Sequence, residues 1–194
     1  MPSNMLSAIR MKTLTLLLLA AAISLSASLG GEPQTGARAA LQALPPHFAR
    51  EVVRLSADNG RPNPKRWYVL ARNRNEAGLL VKNPLYSITI ADGQLSEAKR
   101  YVDARQIFNR RNFINLARVR VDSSVAFSIA RNALGPEGRG MRSASYQLTQ
   151  TGRSSDPVWD VWAYGSSNRY LGVVRLSATS GAVISTKDSR IPRL

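Results

Sequence analysis

The sequence predicts an α+β fold in which one helix over an antiparallel sheet occurs twice in tandem. Three observations predict it. Trp67 to Gly93 spans 26 residues and Trp159 to Gly181 spans 22, and each interval opens on a Trp-bearing strand and closes on a Gly turn. Within each interval a polar loop is followed by a β-branched, alternating strand. A run with helical spacing, Val125, Ile129 and Ala133, precedes the second interval and stops at Gly135-Pro136.

The elements follow in order. Pro45 or Pro46 can occupy a first helical turn, and Phe48, Val52 and Leu55 then recur at helical spacing up to a stop at Asp58-Asn59-Gly60. Trp67–Ala71 reads as a strand, Asn73–Gly78 as a polar turn, and Leu79–Val81 and Tyr86–Ile90 as strands. Asp92-Gly93 between Ile90 and Leu95 is a hairpin signal, because a tight antiparallel turn needs residues that tolerate positive φ. Ser96–Asn112 reads as a basic connecting segment with partial helix. Phe113–Val121 alternates as a strand would, and Asp122 or Ser123 caps the helix that follows. That helix should bury Val125, Ile129 and Ala130. Tyr146–Thr149, Val158–Tyr164, Leu171–Leu176 and Ala182–Ile184 complete the strands. The resulting organisation is an export segment (1–30), a flexible stretch (31–40), a first helix-plus-sheet copy (41–95), the connector (96–112) and a second copy (113–194).

The export segment rests on Arg10 and Lys12 ahead of an apolar run from Leu14 to Ile23, then small residues from Ser24 to Gly31. Cleavage after Ser26, Ser28 or Gly30 satisfies the small-x-small pattern, so the mature chain should begin between Ala27 and Gly31. Met11-Lys12 would itself open a compact signal peptide, which makes Met11 an alternative start. An uncleaved anchor over Thr13–Leu29 is the competing reading, but serines interrupt its second half. The expected location is the periplasm or the extracellular space, with no transmembrane helix left after cleavage.

The chain has 194 residues and no Cys, which excludes disulfides, thiolate nucleophiles and Cys-based metal sites. A chain of this length buries about 70% of its unfolded surface, enough for a core to hold it without staples. Its formal charge is +15, from 27 Lys plus Arg against 12 Asp plus Glu. Such a balance attracts polyanions, although it does not by itself name one.

The residues Ser124–Ala130, Pro157-Val158-Trp159-Asp160-Val161 and Gly172–Val183 resemble a PepSY-type domain: its helix, its Pro-x-Trp strand and its terminal hairpin around a Thr-x-Gly turn. The likeness covers about 65 residues of the second half; in the first it reaches only Trp67–Ala71 and Ile88–Leu95. It implies a small helix-on-sheet fold whose tandem form would be similar to β-lactamase inhibitor proteins. It also implies a binding or inhibitory role without shared catalytic residues.

No residue pattern carries catalysis, and no catalytic, cofactor or metal residue is assigned. His47, the single histidine, stands beside two prolines with no partner set in sequence. Ser96-Glu97-Ala98-Lys99 matches Ser-x-x-Lys, but a helix N-cap explains the four residues. Asp156 and Asp160 would lie about 13 Å apart on one strand, too far for a glycosidase pair. Trp159 and Trp162 fall on opposite faces of their strand, so one enters the core and the other is offered to solvent. The candidate binding surface is therefore Trp162 with Arg100, Arg105, Arg110 and Arg111. The expected function is an exported, non-catalytic binding or inhibitory protein acting on another protein. The alternative is binding of an anionic glycan or lipid surface, with nucleic acid disfavoured by export.

Overall fold

The computed structural model describes residues 36–73, 84–101, 113–152 and 155–188. The export segment, residues 31–35 of the flexible stretch, the strand expected at Leu79–Val81, and Arg105, Arg110 and Arg111 lie outside the described residues.

One antiparallel sheet of eight strands dominates, in the order β4-β3-β2-β1-β5-β6-β7-β8. The strands are β1 (Val52–Gly60), β2 (Arg66–Arg72), β3 (Leu85–Ala91), β4 (Gln94–Tyr101), β5 (Ser143–Thr149), β6 (Val158–Tyr164), β7 (Tyr170–Ser177) and β8 (Val183–Asp188). Each run of four is a meander, and β1 pairs with β5 to join them. Helices are few and short: α1 (Ala37–Gln42), α2 (Pro46–Ala49), α3 (Ser123–Ala133) and α4 (Gly135–Gly138). The expected α+β fold of tandem helix-on-sheet repeats is thus overturned by a continuous, strand-dominated sheet.

The correction has identifiable causes. The helix expected through Leu55 ends at Ala49, and Val52–Gly60 is a strand. Leu55 and Ala57 are buried and alternate with Arg54, Ser56 and Asp58, while Val52 and Val53, at the bulge before Arg54, are buried in different clusters. The period of two from Arg54 to Asp58 competes with the helical spacing of Phe48, Val52 and Leu55, and the β-branched Val52-Val53 pair favours the strand. The helix expected from Ser96 is instead strand β4, paired with β3 from Leu85–Tyr101 to Ala91–Gln94. Phe113–Val121 is not a strand; it holds one 3-10 turn at Leu116–Arg118. Ala37, expected in the flexible stretch, is fully buried in α1.

Asp92-Gly93 does turn β3 into β4, with both residues at positive φ (50° and 76°) as a tight hairpin requires. Asp122 caps α3 by accepting from the Ser123 amide at 2.8 Å. It also accepts from the Arg38 amide at 3.1 Å, so it ties the start of α1 to the start of α3. A Cβ on Gly36 would approach the Asp122 carboxylate to 2.5 Å, so this close approach needs glycine. Gly135, at φ 56°, follows the end of α3 in the left-handed conformation that stops helices.

Helices α1, α2 and α3 pack with one face of the sheet in a single core. Trp67 of β2, Tyr146 of β5 and Trp159 of β6 meet there, with the two indoles 6.3 Å apart and each within 6.2 Å of the tyrosine ring. The Trp159 indole N–H donates to the Val121 carbonyl at 2.9 Å, which satisfies its one polar atom. Helix α3 covers β6 and β7 with Ser123, Ala126, Phe127 and Ala130. Val125, expected in the core, is 48% exposed, and Ile129 is half-buried. Small Ala126 and Ala130 let the helix approach the sheet closely, which rotates the larger Val125 outward. Among the described residues, no helix is long and apolar enough to cross a membrane.

Candidate functional site

Paired residues of an antiparallel ladder share a face, so the register maps the side of the sheet that no described helix covers. One row crosses all eight strands: Glu97, Thr89, Tyr68, Ser56, Gln147, Asp160, Arg175 and Ser185. A second row runs Ser145, Trp162, Val173, Lys187, and a third Ser143, Tyr164, Tyr170. Trp162 and Tyr164 are half-buried, and Tyr170 is 39% exposed. The Tyr164 and Tyr170 rings meet edge to face at 6.0 Å. The uncovered face of β6 and β7 therefore carries three aromatic rings and Val173, bordered by Arg175 and Lys187.

Arg175 is fixed in place. Its guanidinium donates to both oxygens of Asp160, at 2.7 and 2.9 Å, in a two-point fork. That hydrogen bond, and then the carboxylate charge, raise the Arg175 pKa beyond its ordinary value. Asp160 is buried beneath the pair while the arginine stays exposed. Asp160 is thus an anchor for a cation, and Asp156 is paired separately with Arg118. The two aspartates each have their own arginine and do not form an acid–base couple.

The other sequence candidates are dispersed. Arg100 is exposed on β4, at the far edge of the sheet from Trp162 and opposite Tyr86 in the ladder. The structure does not bring it together with Trp162. His47 sits on α2, its ring 4.3 Å from Phe48. Ser96 and Lys99 are three apart on a strand and so face opposite ways, and Lys99 bridges to Glu97 at 2.7 Å. Among the described residues, no three His, Asp or Glu side chains gather where they could hold a metal ion.

No family model, curated protein or solved structure matches the chain. The site therefore stands on its own geometry. Sequence reasoning found Trp162 but missed Tyr164, Tyr170, Val173 and Arg175. A signal existed for the first: Tyr164 has the parity of Trp162 on the same strand. Tyr170 and Arg175 required the β6–β7 register, which a bulge between Ala163 and Tyr164 shifts.

Proposed function

We propose that the protein is an exported, non-catalytic binding or inhibitory module whose uncovered sheet face docks onto another protein. The observation that carries this reading is the Trp162, Tyr164 and Tyr170 strip left half-open on β6 and β7, whose reverse side is packed in the core. Aromatic side chains anchor protein interfaces because they bury large area at low entropic cost. Arg175, already held by Asp160, offers a cation that need not be ordered on binding. The resemblance of the second half to PepSY-type domains points the same way.

The test is a photo-crosslinking residue at Trp162, compared with one at Arg131 on α3, in the exported protein within its own envelope. Crosslinks to one defined protein at position 162 alone, persisting at high salt, support the reading. Equal labelling from both positions, or adducts lost at moderate salt, point to diffuse attraction of polyanions instead, since such binding falls steeply with ionic strength.

A further inference from the structure

The two edges of the sheet are built differently. Among the described residues neither β4 nor β8 has a strand on its outer side. A bare edge is a template for another chain, and proteins usually guard it with charge. Edge β4 is guarded: Glu97, Lys99 and Arg100 are all exposed on it. Edge β8 reads Val183-Ile184-Ser185-Thr186-Lys187-Asp188, with no charge before Lys187 and high strand propensity at Val183, Ile184 and Thr186. Its ladder with β7 has one irregularity, where Ile184 is the extra residue, and runs unbroken from Ser185 to Asp188.

Apolar surface gathers beside this edge. Val183 and Ile184 are 45% and 56% exposed. Helix α3 lies against β8, and the Ile129 side chain sits over Gly181, 3.0 Å from where a Cβ would stand. Val125, one turn before Ile129 and 48% exposed, extends the strip along the helix. A strand added to β8 would complete the outward hydrogen bonds and cover Val183 and Ile184.

We propose that β8 takes an additional strand from an extended, carboxylate-bearing segment of another protein. Charge selects this occupant over a second copy of the chain. Two mature copies would each bring a formal charge of +13, the full chain's +15 less Arg10 and Lys12, whereas an acidic segment meets Lys187, beside the single Asp188, and the excess of Lys and Arg over the chain as a whole. Backbone pairing would supply affinity and the apolar strip would supply specificity. This surface adjoins the aromatic strip at Lys187 but includes none of its rings.

The probe is a labelled ten-residue peptide alternating Glu with Val and Thr, with a matched Lys peptide as control. Binding is read by fluorescence anisotropy, and its location by amide hydrogen exchange on the exported protein. We expect the Glu peptide to bind at least tenfold more tightly than the Lys peptide and to slow exchange within Ser185–Asp188. Ile184→Lys, and separately Ser185→Lys, should weaken it at least tenfold, while Lys99→Gln on the opposite edge should leave it unchanged. Absence of binding, protection at another strand, or binding indifferent to both lysine variants overturns the proposal. So does protection of β8 that grows with protein concentration when no peptide is present, which would make the occupant a second copy.

Discussion

The two meanders treat the uncovered face of the sheet differently. In β1–β4 the chain fills part of it: Val53, Leu70 and Leu85 form a small second cluster with Phe113, while Tyr68 stays 38% exposed. Arg72 lies over the Phe113 ring at 4.8 Å and pairs with Glu51 at 3.4 Å. In β5–β8 the corresponding face keeps its aromatics half-open and offers Arg175 to solvent. The comparison separates aromatic residues that hold the fold from aromatic residues free to meet a partner. It places Trp67, Tyr146, Trp159 and Phe113 in the first class, and Trp162, Tyr164 and Tyr170 in the second.

The largest effect should come from the tryptophans of one strand. Trp159→Ala removes a fully buried indole, its contacts with Trp67 and Tyr146, and its bond to the Val121 carbonyl. The expected loss is about 3–5 kcal/mol. Trp162→Ala, three residues away on the other face, should cost about 1 kcal/mol or less. Denaturant unfolding of both variants checks this. Similar losses would erase the distinction between a packed and an open face.

Helix α3 offers the next contrast. Ala130→Asp puts a charge where the residue is fully buried, with an expected cost of about 3 kcal/mol. Val125→Asp should change stability by about 0.5 kcal/mol or less, since Val125 faces solvent. Thermal melts of the two variants decide the helix orientation; a larger loss at Val125 would reverse it.

Much of β5–β8 was legible in the sequence, and far less of β1–β4. Val158–Tyr164 and Leu171–Leu176 are short runs rich in β-branched and aromatic residues and bounded by polar loops, which favours strand over helix. Val52–Leu55 satisfied both the helical and the strand template, and the deciding contacts with β2 and β5 are distant in sequence. Strand β4 is exposed along its length, so no buried stripe marks it. For α3 the cap and the stop were visible, but the buried face was set by how closely two alanines let it approach β6 and β7. Phe113 gave no sequence signal of its role, because Val53, Leu70 and Leu85 converge on it only once three strands are paired.

Phe113 sharpens the comparison from the first meander. Phe113→Ala uncovers the small cluster and removes the ring beneath Arg72. The expected loss is about 1–2 kcal/mol, from partial apolar burial and the cation–ring contact. Urea unfolding checks it. No loss would mean that the first meander leaves its face as open as the second does.

Tyr146 gives a small effect at neutral pH and a larger one in alkali, and it tests the seam between the meanders. Its ring touches Trp67 and Trp159, and its hydroxyl reaches the Arg61 carbonyl across the seam at 3.4 Å. That bond is long, so Tyr146→Phe should cost about 1 kcal/mol or less near pH 7. Burial, and then the charge of Asp122, push the Tyr146 phenol above its ordinary pKa. The unfolded chain therefore releases this proton first, at about pH 10, while the folded protein retains it. With more protons bound in the folded state, stability is complete below that pH and falls as pH rises toward the folded pKa. Tyr146→Phe removes this term. The variant should begin slightly less stable than the native protein and lose less stability per pH unit above about pH 10, narrowing or reversing the gap. Parallel stability curves for the two proteins across that range would show that the phenol ionises freely. The seam would then admit water where the two tryptophans meet.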